Sequence, residues 1–447
     1  MRGFGVSSAD PPATGSWGGV GVGGRQCEPG AARTWWWLGG AALVSVLMRL
    51  RMVWSPVTVD EGGYLAIARA WGHGRVLYRD VWVDRPQGLL LLFRWWDWLS
   101  GGSTGSIRVM AMLFGVVLVL ATGVAVWALV GQSAARWAAL VCGVVSASPL
   151  LEAHTANGEL LSGAMSASGL AVALVGWSRP RPLRWLFGSG VLAGVALSFK
   201  QSGFDGVLAV GVWLTVSALF VPARRGVALR CLVAMIGGVG CVWAMLALHG
   251  ALTGWSRWWT AVAGYRLRVE SGFAGARWVN LHESYPIART VLGVSALAAA
   301  VGAGLLVYGT CVRRRPGLPR HALILVVWLV TVTGAFLIGG GFWQHYWELF
   351  AAPLSALAGV ALSRLRRLGP VALILIVAPC LVASMRVFIG SSNTINARAT
   401  HDNRSPTDQR VANWFVAHRN PDDNMYVLCS SAAVYADAHQ DPGYPYL

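Results

Sequence analysis

Apolar stretches of membrane-spanning length recur along most of this chain, separated by short polar loops. A transmembrane helix needs about 20 predominantly apolar residues to cross about 30 Å of hydrocarbon. Charged residues make up only 12% of the sequence, against about 25% in soluble domains. We therefore predict an α-helical polytopic membrane protein with about eleven transmembrane helices. The predicted spans are 35–54, 107–130, 136–150, 159–177, 184–199, 204–222, 229–249, 288–312, 321–340, 346–363 and 370–389.

Every second loop between these spans is basic. The basic loops hold Arg136; Arg179, Arg181 and Arg184; Arg224, Arg225 and Arg230; Arg313, Arg314, Arg315 and Arg320; Arg364, Arg366 and Arg367. The short loops between them contain no arginine, and Lys200 is their only lysine. Cytoplasmic loops are enriched in Lys and Arg. We therefore predict a multi-pass plasma-membrane protein whose basic loops and N-terminus are cytoplasmic and whose segments 55–106, 251–287 and 390–447 face outside.

The formal net charge of +17 does not indicate a nucleic-acid partner. The arginines are spread over short loops between apolar spans, whereas a nucleic-acid interface gathers them on one face. The seven cysteines form no CxxC pair and show no metal-ligand spacing. The sequence therefore predicts neither a disulfide framework nor a zinc site.

Changes in composition divide the chain into three segments. Residues 1–34 are rich in Gly, Ser and Pro and predict a flexible cytoplasmic tail, without the short apolar region of a cleavable signal peptide. Residues 35–389 hold the predicted spans, with outer loops at 55–106 and 251–287. Residues 390–447 are more polar and predict an extracytoplasmic segment.

The extracytoplasmic segment is predicted to be small and mixed α/β. Its pattern indicates a helix at 407–418, a turn at 420–423, a strand at 425–429 and a short helix at 431–439. Because a single strand cannot form a sheet, we expect this segment either to pack against the outer loops or to be the remnant of a larger domain.

The first outer loop concentrates acidic residues. Asp60, Glu61, Asp80 and Asp84 lie within 25 residues, whereas the whole chain has only 19 acidic residues. Thr58 and Glu61 have the spacing of a capping box, which predicts a helix starting there. Pro86 suits the first turn of a second helix running to Leu99. At about 1.5 Å per residue that helix is too short to cross the bilayer, and its tryptophans are typical of an interfacial helix.

The carboxylates of this loop have two interpretations each. Asp60 is placed for general-base chemistry, because exposed N–H groups and the macrodipole at a helix start favour an ionised carboxylate. The alternative is that Asp60 and Glu61 only cap the helix, which the spacing from Thr58 explains well for Glu61. Asp84 is either the second carboxylate of a catalytic pair or a cap of the second helix. Arg85 is a candidate contact for a phosphate.

Other candidate residues lie at the outer ends of spans. Lys200, followed by Gln201, is costly to place there without a partner, which is either a lipid phosphate or a glutamate, Glu152 or Glu159. The remaining candidates each have an ordinary interfacial or helix-end explanation and a binding one; they are Arg108, Glu159, His345 and Tyr346. In loop 251–287 the candidate anion contacts are Arg257, Arg266, Arg268 and His282.

Together these residues resemble a known family. Several short motifs fall at the positions, relative to the spans, where one group of proteins carries similar residues. They are Asp60-Glu61-x-x-Tyr64, Tyr78-Arg79-Asp80 and Asp84-Arg85-Pro86, with Asn157-Gly158-Glu159, Lys200-Gln201, His345-Tyr346 and Pro353. That group is the GT-C fold glycosyltransferases that use polyprenyl-phosphate sugars, close to glycosyltransferase family 39, the protein O-mannosyltransferase-like enzymes and the lipid A aminoarabinose transferases. The resemblance covers about 35–390. Gln87-Gly88 departs from it, because a second proline or a leucine is common there.

The resemblance implies an inverting transfer of a sugar from a polyprenyl-phosphate donor to a glycolipid, polysaccharide or protein acceptor outside the cytoplasm. Asp60 would deprotonate the acceptor hydroxyl, with Asp84 and Glu61 as further catalytic residues. The substrate-binding set would be Tyr64, Arg85, Arg108, Glu159, Lys200, Gln201, His345 and Tyr346. No cofactor is required by this chemistry, although it leaves room for a divalent cation.

Two other functions compete with this expectation. A transporter or flippase of a lipid-linked precursor would place charges inside the spans. Here nearly all charges lie at the ends of the spans, and the exceptions, Asp205, Arg49 and Arg51, are close to the ends. A non-catalytic scaffold for envelope assembly would use the acidic residues only as helix caps. That scaffold would tolerate Asp60→Asn.

Overall fold

The computed structural model of the chain describes residues 31–269, 274–312, 320–401, 404–420, 422–428 and 431–446. Within these ranges the chain is mostly helical and contains no β-strand. The only sheet-like pairings there are two isolated bridges, between Leu77 and Val81 and between Trp82 and Tyr446. Most of the predicted tail 1–34 and the arginines at 313–315 lie outside the described residues.

Eighteen α-helices are described in these ranges, numbered here in chain order. They are α1 (Ala31–Leu50), α2 (Val59–Gly72), α3 (Gln87–Leu99), α4 (Ile107–Leu129), α5 (Gln132–Val145), α6 (Gly158–Trp177), α7 (Pro182–Phe199), α8 (Asp205–Phe220), α9 (Arg225–Thr253), α10 (Trp255–Trp259), α11 (Tyr265–Val269), α12 (Ala274–Val307), α13 (Ile324–Gly339), α14 (Ala351–Leu362), α15 (Gly369–Val387), α16 (Ser392–Thr400), α17 (Ser405–His418) and α18 (Ala433–Asp437).

Each predicted span contains one of these helices. Seven described helices are long and apolar enough to cross a membrane, and a multi-pass helical membrane protein is confirmed. The helices in the other four predicted spans are α1, α5, α8 and α14. Helices α5 and α14 have only 14 and 12 residues, and they pack against each other inside the bundle. Small residues allow this close approach: a Cβ added at Gly359 would lie 2.6 Å from the Ala134 carbonyl oxygen.

The first outer loop folds into the two predicted short helices. The capping box of α2 is present, since the Thr58 side chain accepts from Glu61 N–H and the Glu61 carboxylate accepts from Thr58 N–H. Pro86 is the N-cap of α3 and supplies no side-chain cap. The alternative in which Asp84 caps this helix is therefore wrong. The outer face of α3 exposes Leu91, Trp95, Trp98 and Leu99, as an interfacial helix requires.

Where it is described, the segment after residue 390 contains three helices, α16, α17 and α18. The predicted strand at 425–429 is wrong for 425–428, which is irregular; Cys429 lies outside the described residues. Without a neighbouring strand, this stretch has no sheet partner for its backbone groups. Helix α17 confirms the predicted helix at 407–418, and α18 forms within 431–439.

The C-terminal segment packs directly on α2. A Cβ added at Gly62 would lie 2.4 Å from the Ala433 Cα atom, so only glycine allows the two backbones to come this close. The Arg69 Nη1 atom donates to the Ala436 carbonyl oxygen at 2.7 Å, and Trp82 N–H donates to the Pro445 carbonyl oxygen at 2.7 Å. The expected packing of this segment against the loop 55–106 is therefore present.

Candidate active site

Asp60 lies in the first turn of α2 with its side chain exposed. Among the described residues it has neither a hydrogen-bond nor an ion-pair partner. Tyr64 lies four residues further along the helix, on the same face. The N-terminal turn of α2 therefore presents a free carboxylate, with the partial positive charge of the helix end behind it.

Glu61, the next residue, has the opposite environment. Its side chain is 1% exposed and forms an ion pair with Arg108, at 3.1 Å between Arg108 Nη1 and Glu61 Oε2. The same oxygen accepts from Thr58 N–H at 2.8 Å, and Oε1 accepts from Ala156 N–H at 2.7 Å. Both oxygens of the Glu61 carboxylate therefore have donors within the protein. Arg108 also donates to the carbonyl oxygens of Pro56 and His154.

Asp84 lies between two arginines. Its carboxylate is 2.9 Å from Arg85 Nη1 and 2.6 Å from Arg266 Nη2. The Gln201 amide donates to the Asp84 carbonyl oxygen and to the Val262 carbonyl oxygen, both at 3.1 Å. Val262 belongs to a π-helical turn, Thr260–Gly264, a feature frequent at functional sites. Two outer loops and the end of α7 therefore meet at Asp84, with two positive charges for one negative charge.

Lys200, at the end of α7, pairs with a glutamate from the preceding helix, α6. Its ammonium contacts Glu159 Oε1 and lies 3.7 Å from the centre of the Tyr346 ring. His345 lies beside the same carboxylate, at 3.8 Å between Nε2 and Glu159 Oε1. The other ring nitrogen of His345 is 3.1 Å from Glu152 Oε2. Of the two partners expected for Lys200, a lipid phosphate or a glutamate, the structure thus contains the glutamate, Glu159.

Tyr64 connects these groups into one cluster. Its ring packs edge-on against Phe93, with centroids 5.6 Å apart. Burial raises the pKa of the Tyr64 hydroxyl; Arg85 opposes this effect, and Asp60, Asp84 and Tyr346 reinforce it. Lys200 also interacts electrostatically with four groups of this region, namely Arg85, Arg266, Asp60 and Asp84.

The structure therefore brings nine of the eleven predicted site residues together. We call this set the open cluster: Asp60, Tyr64, Asp84, Arg85, Glu159, Lys200, Gln201, His345 and Tyr346. The other two, Glu61 and Arg108, form what we call the closed pair. These residues come from several separate segments of the chain, which the fold brings together.

Gln87 and Gly88 are not among the predicted site residues, yet both are needed to build this region. Gln87 is 3% exposed and links three segments, because its amide contacts the Tyr78 hydroxyl at 3.3 Å, Trp258 Nε1 at 2.9 Å and the Leu246 carbonyl oxygen at 2.7 Å. The departure from the family motif at Gln87-Gly88 is its only sequence signal. Gly88 is required by close packing, since an added Cβ would lie 2.1 Å from Ser198 Oγ.

Metal ligation has no obvious donors here. In the described ranges no three His, Cys, Asp or Glu side chains gather at metal-binding distance. In the open cluster both oxygens of Asp84 face arginines. The Asp84 carboxylate is therefore not free to bind a divalent cation.

Comparison with known proteins gives a structural match only. The sequence matches no known family profile and no curated protein. In contrast, ArnT from Cupriavidus metallidurans bound to undecaprenyl phosphate has a TM-score of 0.60 at 16% identity, over 91% of this chain and 84% of that chain. Its apo structure gives a TM-score of 0.62 at 17% identity, over 92% and 86%. This chain has the GT-C fold.

An archaeal enzyme shows the same GT-C architecture. The oligosaccharyltransferase AglB from Archaeoglobus fulgidus, in complex with an inhibitory peptide and a dolichol-phosphate, has a TM-score of 0.59 at 14% identity. The alignment covers 92% of this chain and 64% of that chain, so the present GT-C chain spans less than two thirds of its length. The predicted resemblance to GT-C proteins is confirmed as a shared fold.

Proposed function

We propose that this protein transfers a sugar from a polyprenyl-phosphate donor to an acceptor hydroxyl, with inversion at the anomeric carbon. The observation that carries the proposal is the open cluster, which sets a free carboxylate, Asp60, beside a group of cationic side chains. A transferase of this kind needs a base for the acceptor and positive charge for the departing phosphate. Two of the GT-C neighbours are bound to undecaprenyl phosphate and dolichol-phosphate.

In this proposal Asp60 is the general base. Its carboxylate takes the proton of the acceptor hydroxyl as the oxygen attacks the anomeric carbon from the side opposite the phosphate. The bond from that carbon to the phosphate oxygen breaks, and the polyprenyl monophosphate leaves as an anion that needs no proton. Asp60 suits this task because no described side chain competes for its lone pairs.

The phosphate is proposed to bind between Lys200, Arg85 and Arg266. Asp84 holds the two arginines in place and keeps an excess of one positive charge at that point. When Lys200 turns to the phosphate, His345 is positioned to keep the Glu159 carboxylate partnered. Gln201 fixes the loop of Asp84 relative to the π-helical turn, while Tyr64 and Tyr346 close the sides of the cluster. We propose that Glu61 and Arg108 act by positioning α2.

We propose that the site faces outside the plasma membrane, with the N-terminus and the basic loops in the cytoplasm. The alternating arginine loops support this orientation. The proposed acceptor is a glycolipid, a cell-wall polysaccharide or a protein on that side. The exposed face of α3 would lie along the outer leaflet, where a polyprenyl chain can reach the cluster from the lipid.

The proposal is tested by transfer assays in membranes containing equal amounts of wild type, Asp60→Asn and Asp80→Asn. Asp80 is a matched control, because it is in the same loop but pairs with Arg79 at the surface. With radiolabelled polyprenyl-phosphate hexoses and pentoses as donors, the wild type and Asp80→Asn should label a membrane acceptor. Asp60→Asn should be slower by about 10²-fold or more, the scale of a lost general base.

Two results would contradict the proposal. Equal labelling by wild type and Asp60→Asn would remove Asp60 from the reaction. Absence of labelling by the wild type with every donor in the panel would reject the transferase function itself. The anomeric configuration of the product, read by NMR, must be opposite to that of the donor.

A further inference from the structure

A cavity of about 520 Å³ opens beside α2, on a face that none of the proposed catalytic or donor-binding residues lines. Its walls are the segment 53–57, the turn 103–106 and two residues of the C-terminal segment, Gln409 and Asp437. Pockets that bind small molecules commonly measure about 300–1,000 Å³. The cavity is therefore large enough for one or two sugar rings.

The polar groups on its walls have few partners of their own. In the described part of the chain, the Ser103 and Thr104 hydroxyls, the Gln409 amide and the Asp437 carboxylate form no hydrogen bond. These groups include both donors and acceptors, the mixture that hydroxyl groups of a sugar require. Trp54 also lines the cavity and is 70% exposed, so its ring offers an apolar face for a sugar ring.

The charge on the walls selects against anions. Of the described residues that line the cavity, Asp437 is the only ionisable one, and Asp408 lies within electrostatic range of it. Arg69 also interacts with Asp437, but its guanidinium is buried and paired with Asp97 at 2.8 Å. A phosphate or a uronic acid would face the Asp437 carboxylate here without a cation among the lining residues, whereas a neutral saccharide carries no charge to be repelled.

Both walls of the cavity are joined to the helix that carries Asp60. The segment 53–57 leads directly into Thr58, the cap of α2. Asp437 ends α18, whose first residue, Ala433, packs against Gly62. We propose that this cavity binds a neutral saccharide portion of the acceptor, next to the helix whose Asp60 acts as base. This inference rests on the proposed transfer function for its biological role, whereas the binding itself does not require turnover.

The test measures binding without any donor, using the full-length protein in right-side-out vesicles. Thr104→Cys is placed in a background in which Cys27, Cys241, Cys311 and Cys429 are changed to serine, and the three buried cysteines are retained. The rate of reaction with a membrane-impermeant thiosulfonate is measured with and without maltotetraose or mannotetraose. At about twice the dissociation constant, a bound oligosaccharide should slow labelling about threefold, by mass action.

Three comparisons decide the outcome. A tetrasaccharide of galacturonic acid should give no protection. Asp437→Asn should weaken protection by the neutral sugars, whereas Asp422→Asn, an exposed carboxylate away from the cavity, should leave it unchanged. The labelling rate without sugar should be the same in all variants, which shows that the cavity wall is intact.

Failure of both neutral oligosaccharides to protect the thiol introduced by Thr104→Cys would overturn the inference, and so would equal protection by the acidic one. Neither result would affect the transfer assay. Conversely, rejection of the proposed transfer function by the Asp60→Asn assay would leave this binding measurement valid. The two proposals can therefore fail separately.

Discussion

Asp60 and Glu61 are neighbours in sequence, yet their carboxylates have opposite environments, one in the open cluster and the other in the closed pair. Asp60 is exposed at the helix start and has no partner among the described residues. Glu61 is 1% exposed, and its oxygens are taken by Arg108, Thr58 and Ala156. A carboxylate whose lone pairs are all occupied can fix a backbone, but only a free one can accept a proton from a substrate.

The difference follows from helix geometry. Successive residues of a helix point about 100° apart. In the first turn of α2 the Glu61 side chain therefore points into the helix bundle, while the Asp60 side chain points towards solvent. The bundle side needs a buried charge to be paired, which Arg108 at the start of α4 provides. The open side has no such constraint.

The largest expected effect lies in the closed pair. Arg108→Met leaves Glu61 buried without its cation, which should lower the free energy of unfolding by about 3–5 kcal/mol. Asp60→Asn should change it by no more than about 0.5 kcal/mol, as for an exposed residue. Thermal unfolding in detergent, followed by tryptophan fluorescence, measures both. The double variant Glu61→Leu/Arg108→Met should recover only part of the loss, because the Thr58 and Ala156 N–H groups still lose their acceptor. Equal destabilisation by Asp60→Asn would erase the distinction.

A smaller effect is expected for Lys200. This residue combines features of both groups, because it is paired with Glu159 and is also proposed to bind the donor phosphate. In the Glu159→Gln background, Lys200→Met should raise the KM for the donor about 10-fold to 100-fold, the scale of one or two charged hydrogen bonds. Glu159→Gln alone removes the competing carboxylate and should leave the donor KM near the wild-type value.

The outcome that contradicts this assignment is an unchanged donor KM in the double variant. In that case Lys200 would belong with the closed pair, as a residue that only neutralises a buried glutamate. Steady-state kinetics over a range of donor concentrations separates the two, because a structural role lowers the active fraction and not the KM.

The smallest effect concerns Asp437, whose side chain is less exposed than that of Asp60 and less buried than that of Glu61. Burial, reinforced by Asp408 and opposed by Arg69, raises its pKa from 3.8 to about 6. The folded state thus binds a proton that the unfolded chain releases near pH 4, so stability falls as the pH rises from about 4 to above 6. Asp437→Asn should therefore stabilise the protein by about 1 kcal/mol at pH 8, with the conversion reduced for partial hydration.

At pH 4 the same substitution should have almost no effect, because Asp437 is then largely protonated in the folded state. Unfolding transitions of wild type and Asp437→Asn at the two pH values give the comparison, with Asp422→Asn as the exposed control. Equal stabilisation at both pH values would show that the effect does not arise from ionisation.

The features that sequence could predict are those set by local pattern. The spans follow from runs of apolar residues, α2 follows from the Thr58-x-x-Glu61 spacing, and the membership of the open cluster follows from the family resemblance. What pattern could not supply is which residues face each other across the bundle. Arg266 gives no signal among the arginines of its loop, and its contact with Asp84 depends on the fold of two separate segments.

The sequence also does not show which polar side chains are buried or which stretches find a partner strand. Arg49 is near the end of the first span, where a long side chain commonly reaches the surface. In the structure it is 2% exposed, donates to the Ala153 carbonyl oxygen at 2.8 Å and lies 3.8 Å from Glu348. At 425–428 a short run of apolar residues favours a strand locally, but this preference is insufficient where no second strand lies alongside.

The most direct test of the account compares Asp60→Asn with Glu61→Gln in the same transfer assay, each rate divided by the amount of folded protein. We predict that Asp60→Asn loses about 10²-fold or more in turnover with an unchanged unfolding transition. Glu61→Gln should unfold more easily while each folded molecule keeps turnover within a few-fold of the wild type. Wild-type turnover in folded Asp60→Asn, or an equal loss in folded Glu61→Gln, would contradict the division between the open cluster and the closed pair.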